Sequence, residues 1–337
     1  MERRDQNSVS CSEERRPNKL HRILDMADVV VEQFNKGGIL AEGPFYDAST
    51  NKLAWVDIYG QSVHFTDLVT KEDEVHNFDA RPGAIVKRIN HKDCWIINLE
   101  NKIVSYNDKT KETEVLAELE KDKPKNRLND AKCDPSQIVV HKVHHLGTGS
   151  MYEPENGVFD KGHGTLYSLS KDLQITSHMD GISISNGLAW SADKTIMYYV
   201  DTETRGVYAF DFDLTDGTIK NKRIAVTYDD VSPNTGKEHF PDGMCIDAEG
   251  KLWIAAWFGA QVMRYDPATN KLIQTVTLPC EQISSCAFGG PNLDELFVTS
   301  CGYLKSEEER KRFPQAGSVF RVKNLGVKGT PSLGFEG

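Results

Sequence analysis

Four side chains with oxygen donors recur at one kind of position in this sequence. They are Glu42, Asn129, Asn186 and Asp242, and each is followed by a glycine or an aspartate just ahead of an apolar run. Two carboxylates and two carboxamides are hard ligands. Converging on one point, they suit Ca²⁺, Mg²⁺ or Mn²⁺ better than a thiolate-seeking ion. Two buried carboxylates such as Glu42 and Asp242 would repel each other unless a cation lay between them. Pro82 and Ser284 or Ser285 occupy the matching positions of two further segments.

These residues are far apart in the chain, so repeated structural units must bring them together. The stretch His239 to Trp257 shows one unit in full: a Pro241-Asp242-Gly243 turn, a short strand Met244–Asp247, a tight turn through Gly250, and a buried strand Leu252–Trp257. Gly and Asp suit such turns because they tolerate positive φ and bond their own backbone. Six units of this kind, anchored at Gly43, Gly83, Asp130, Gly187, Gly243 and Cys286, follow one another at intervals of roughly 40 to 57 residues. Three or four strands per unit at that period predict a six-bladed β-propeller over 27–337. The sixth unit shows only three clear strands. The segment Val29–Phe34 is therefore expected to supply its outer strand and close the ring, leaving no long unpaired edge. In such a ring the turn residue ahead of each innermost strand points into the axial channel. The five tryptophans are expected to pack between blades, and Cys286 to sit in the core.

The chain has 337 residues, 39% of them hydrophobic, and a formal net charge of −10. Length and composition fit a globular protein, and the acidic balance argues against a nucleic-acid partner. Seven cysteines without a CxxC pair, and no Asn-x-Ser/Thr sequon, read as reduced thiols of a cytoplasmic protein. Residues 1–26 form a polar tail with no apolar signal region, and no run approaches membrane-spanning length. The expected assembly is a monomer or weak dimer.

The motifs Glu42-Gly43-Pro44, Asn126-Arg127-Leu128-Asn129-Asp130, Ser185-Asn186-Gly187-Leu188 and Pro241-Asp242-Gly243-Met244, in this order and spacing, resemble those of the regucalcin, gluconolactonase and luciferin-regenerating enzyme family. The resemblance runs from about residue 29 to the end. It implies a six-bladed propeller with one divalent metal in its channel, Ca²⁺ first and Zn²⁺, Mn²⁺ or Mg²⁺ as alternatives. Glu42, Asn186 and Asp242 would be its protein ligands. Asn129 would contact a metal-bound water or the substrate, and Arg127 would hold substrate oxygens. The implied reaction is the opening of a sugar lactone or related ester by water, with Asp242 taking the proton. A calcium-binding regulatory protein without required catalysis, or a hydrolase of a phosphotriester or luciferin-related heterocycle, are the competing readings.

One region departs from the pattern. Ser136 to Ser150 is longer than the family's turn and strand, and Met151-Tyr152-Glu153 resumes it. The expected substrate-contacting glutamate is Glu153, with Glu155 as the alternative. His141, His144 and His145 lack a well-placed third partner and read as a solvated loop or strand rather than a second metal site. Asp211 to Gly217 is a strand-to-strand turn, since an EF-hand loop would need Gly and Glu where Asp216 and Lys222 stand.

Overall fold

Short runs of β-branched and aromatic residues, cut at close intervals by Gly, Asp and Asn, favour strands and tight turns over helices. The computed structural model describes residues 28–135, 145–152, 161–228, 231–303 and 306–337. Among them the chain forms six antiparallel four-stranded sheets. The innermost strands are Ala41–Asp47, Pro82–Lys87, Asn126–Cys133, Ser185–Trp190, Phe240–Ile246 and Ile283–Gly289. Each packs against the innermost strands of both neighbouring sheets, which closes the six into a propeller around an axis. Second strands such as Lys52–Asp57 and Leu252–Trp257 are buried almost throughout, because sheets cover both of their faces. Outer strands such as Thr113–Glu118 face solvent. Trp55, Trp95 and Trp253 are fully buried. Trp95 of the second blade meets Phe65 and Phe45 of the first at 5.0 and 5.9 Å between ring centroids.

The residues expected on turns ahead of the inner strands lie within those strands. Phe240–Ile246 is one continuous strand, so the Pro241-Asp242-Gly243 turn expected from the sequence is corrected to a β-bulge. Pro241 pairs with Ala256 and Met244 with Ile254, which leaves Asp242 and Gly243 together opposite Ala255. Register shifts of the same kind occur between Glu42 and Phe45, Pro82 and Ala84, Leu128 and Ala131, Ser185 and Leu188, and Ile283 and Ser285. A bulge places two residues against one and re-aims their side chains. In four blades two residues face one on the partner strand, Gly43-Pro44, Asn129-Asp130, Asn186-Gly187 and Asp242-Gly243, and in the other two a single residue is extra, Gly83 and Ser284.

Two further features shape the channel. The strand His145–Tyr152 pairs with Asn126–Cys133, with Arg127 opposite Met151 on one side of the bulge and Lys132 opposite Gly147 on the other. The C-terminal segment crosses beneath the ring from the last blade to the second. Gly329 bridges Asp247, and Phe335, fully buried, accepts from Ile89 N–H and donates to the Lys87 carbonyl. Among the described residues no helix is long and apolar enough to cross a membrane.

The strand Val30–Asn35 lies outermost in the last sheet, antiparallel to Val319–Lys323. Phe34 is buried there against Phe297, edge to face at 5.1 Å. Gln33 Nε2 donates to Ser318 Oγ at 2.7 Å. Phe34→Ala should lower the unfolding free energy by about 3 kcal/mol, measured by urea denaturation. A change below about 1 kcal/mol would mean that the closing strand contributes little packing.

Candidate functional site

Four of the predicted side chains, three in bulges and Glu42 just ahead of one, lie at one mouth of the channel, all buried: Glu42, Asn129, Asn186 and Asp242. Their arrangement is held by hydrogen bonds that cross between blades. Asn129 Nδ2 donates to the Ser185 carbonyl at 2.8 Å and to Asn186 Oδ1 at 3.0 Å. Asn186 Nδ2 donates to Thr202 Oγ1 at 2.8 Å, and Thr202 Oγ1 donates to the Pro241 carbonyl at 2.8 Å. Thr202 thus spends its proton on the strand of Asp242 and accepts from Asn186. That fixes which way the Asn186 amide faces and leaves its oxygen on the side of Asn129. Arg127, also buried, donates to Asn129 Oδ1 at 2.6 Å. Behind Asn129, Asn98 Nδ2 donates to the Asn129 carbonyl at 2.9 Å and to Thr148 Oγ1 at 2.7 Å, which pins the bulge.

The electrostatics are unfavourable for two bare carboxylates. Burial pushes Glu42 up to about 8, and the charge of Asp130 adds to the effect; the Gly43 N–H, donating at 2.9 Å, and Arg127 pull the other way. Burial, then Glu42, then Asp130 raise Asp242 well above the carboxylate range. Among the described residues no three His, Cys, Asp or Glu side chains converge as a metal cluster. The mouth instead offers two carboxylates and two carboxamide oxygens, a donor set suited to a hard divalent ion with room for non-protein ligands. Of the remaining matching positions, Ser284 turns its hydroxyl to the Ala41 carbonyl at 2.6 Å and braces two inner strands.

Other nucleophiles do not compete. Ser62 Oγ, His64 Nε2 and Nδ1, and Asp73 Oδ2 line up at 2.9 and 2.7 Å like a hydrolase triad. Ser62 is buried, however, and Trp55 stacks on His64 with centroids 3.7 Å apart. Trp55 and Asp73 meet again through Thr66, so the set acts as a brace within the first blade. Cys301 feels Asp242 and Glu42, but burial, the larger cause, raises its thiol to about 12, too high for a thiolate nucleophile near neutrality. Cys286, expected in the core, is buried there beside Cys245 with sulfurs 3.7 Å apart. Glu153 and Glu155, the substrate contacts expected from the sequence, lie outside the described residues, as do His141, His144 and the tail 1–26.

Two residues of the site were not singled out by the sequence. Thr202 shows no motif of its own, because it acts through a backbone carbonyl 39 positions away. Asp130 was visible as a unit anchor in register with Gly43, Gly83, Gly187 and Gly243, and its acidity at that position was the unread signal.

A family model described as SMP-30/Gluconolactonase/LRE-like region matches residues 40–302. The chain belongs to this family. Regucalcin of Gallus gallus is 37% identical to it over 299 residues, covering 88% of this chain and 95% of the relative. Among solved structures, a luciferin-regenerating enzyme matches with a TM-score of 0.83 at 31% identity, over 92% of this chain and 100% of the other. A calcium-binding protein, regucalcin, from Agrobacterium tumefaciens matches with a TM-score of 0.78 at 27% identity, over 90% and 96%. The family resemblance read from the four motifs and the six-bladed propeller both hold.

The raised carboxyls set a pH dependence in metal-free protein. Glu42 keeps its proton in the folded state up to about pH 8, whereas the unfolded chain releases it near 4.5, the ordinary value. Between these limits the folded state binds more protons, so its stability falls as pH rises. With a chelator present, Glu42→Gln should melt several degrees above wild type at about pH 8.5 and close to it at about pH 5. Differential scanning fluorimetry reads both; a variant less stable than wild type at the higher pH would contradict the assigned strain.

Proposed function

We propose that this chain is a divalent-metal-dependent hydrolase that opens a lactone or related ester, with Glu42, Asn186 and Asp242 as the protein ligands of the ion. The observation that carries this reading is the pair of buried, mutually repelling carboxylates, Glu42 and Asp242, set near the Asn129 and Asn186 carboxamides with Arg127 as their charged counterpart. A cation relieves that repulsion, and Ca²⁺ suits a donor set of two carboxylates and an amide oxygen; Zn²⁺, Mn²⁺ and Mg²⁺ are the alternatives. Membership of a family whose description includes gluconolactonases supports the hydrolase class.

When bound, the ion would polarise the substrate carbonyl and acidify a nearby water. The chain's own groups supply the rest. The Arg127 guanidinium holds the substrate's oxygens and orients the carbonyl, and Asn129, whose two N–H bonds go to Ser185 and Asn186, accepts from a bound water through Oδ1. Water attacks the carbonyl carbon, and one carboxylate oxygen of Asp242 takes its proton. The ring C–O bond then breaks, the leaving oxygen receives that proton, and a hydroxy acid departs. Thr202 keeps the Asn186 oxygen turned inward while the substrate turns over.

Chelator-treated protein should lose hydrolysis of gluconolactone and recover it with one of Ca²⁺, Zn²⁺, Mn²⁺ or Mg²⁺. Asp242→Ala should cost about 100-fold or more in kcat/KM. Turnover that survives chelation, or an Asp242→Ala enzyme with full activity, would overturn the reading. Thr202→Val should weaken metal affinity about tenfold or more, as the loss of a ligand-orienting partner does. Calorimetric titration reads this, with the thermal midpoint of the metal-free variant as the folding control.

A second reading is a calcium-binding regulatory protein without required catalysis. The observation behind it is the likeness to a solved protein described as calcium-binding. It uses the same residues and differs in outcome: micromolar or tighter Ca²⁺ binding with no turnover of any lactone.

A further inference from the structure

Asp130 breaks the pattern of the ring. The residue that follows Glu42, Pro82, Asn186 and Asp242 is glycine in each case, and the one that follows Ser284 in the sixth blade is Ser285; only the third blade places a charged side chain at this position. The side chain is 8% exposed and reaches the wall of a cavity of about 250 Å³ in the lower channel, beneath the four oxygen donors. Asp130 Oδ1 accepts from the Ala131 N–H at 2.8 Å, and among the described residues Oδ2 has no hydrogen-bond donor. Both Glu42 and Asp242 feel its charge, yet the three carboxylates do not converge as a ligand cluster. Burial pushes the Asp130 carboxyl up, and Lys132, two residues on, which gives its ammonium to the Met244 carbonyl at 2.7 Å, pulls the other way only from the side.

A buried carboxylate close to two others works against the fold, and its bond to the neighbouring N–H would be served equally well by an asparagine. Its geometry makes sense as a fixed negative charge directed at something positive above it. We propose that Asp130 is a positioning residue of the metal centre, one that never touches the cation and raises its affinity through space from beneath. The proposal rests on Glu42, Asn186 and Asp242 holding a cation. It adds that the charge setting the affinity is the sum of three carboxylates, one of them outside the ligand set.

This role predicts opposite signs for two measurements, where a merely structural role predicts the same sign. Asp130→Asn keeps the acceptor for Ala131 and removes the charge. Metal-free protein should then melt higher than wild type, because the repulsion with Glu42 and Asp242 is gone. Calcium titrated by calorimetry should bind about tenfold more weakly. The loss should grow with the charge of the probe, to about thirtyfold for La³⁺, because Coulomb energy scales with that charge. Asp130→Ser, which copies the residue of the sixth blade, should behave alike and replaces the first variant if that one fails to fold. Wild-type Ca²⁺ affinity retained in both variants, or affinity and metal-free stability falling together, would overturn the role of Asp130 alone. Absence of Ca²⁺ and La³⁺ binding to the wild type would overturn it together with the metal-dependent reading.

Discussion

Close approach of the six inner strands governs everything at the axis. A side chain on Gly187 would place its Cβ 2.7 Å from the Met244 nitrogen and 2.9 Å from the Asp242 carbonyl oxygen, and one on Gly243 would lie 2.8 Å from the Ser285 Cα. At these two positions the neighbouring strands approach so closely that one must contribute no side chain. In the fourth and fifth blades the bulge meets this demand by concentrating two functions in adjacent residues: the glycine lets the strands meet, and its predecessor, Asn186 or Asp242, is re-aimed. The same contact that buries the apolar core therefore builds the ring of donors. The site and the core cannot be altered independently at these positions.

That geometry forces an electrostatic compromise. Carboxylates taken out of water cost several kcal/mol each unless paired, and here Glu42 and Asp242 have the buried Arg127 guanidinium near them, and Asp130 has Lys132. The folded state answers by retaining protons. A site held in this condition is unstable by design in the direction that a cation would relieve, the pattern expected where stability is traded for binding. The hydrogen bonds between blades, from Asn129 to Asn186 to Thr202 to Pro241, keep the donors from relaxing away from one another.

Much of this was legible in the sequence because it repeats. The interval between glycine-containing motifs exposed the blades, and position within each motif picked out Glu42, Asn129, Asn186 and Asp242. What stayed hidden was nonlocal. A bulge is defined by what the partner strand does, so Asp242 read as a turn residue when it is a strand residue opposite Ala255. Thr202 speaks through a carbonyl on another blade, which no local pattern announces. Ser284 shares the spacing of the donors but turns to the Ala41 carbonyl, a choice set by the neighbouring strand. The short helix Glu307–Arg312 is different: its capping box, Ser306 with Glu309, was present in the sequence to be recognised.

The ring is closed by pairing the first described strand with the last, and this bears on how the ring comes into being. Val30–Asn35 leaves the ribosome before the other described strands, and its partner, Val319–Lys323, after them. Until both exist, the sixth sheet lacks its outer strand and the first and last blades have no finished face to meet. Contacts of such sequence separation are slow to form, because most of the chain must be ordered before they are rewarded. The earlier blades can assemble as they emerge, while the axial mouth, which needs Glu42 from the first blade beside Asp242 from the fifth, exists only once the circle is complete. Any capacity to hold a ligand there therefore waits for the sixth blade, however early Glu42 was made.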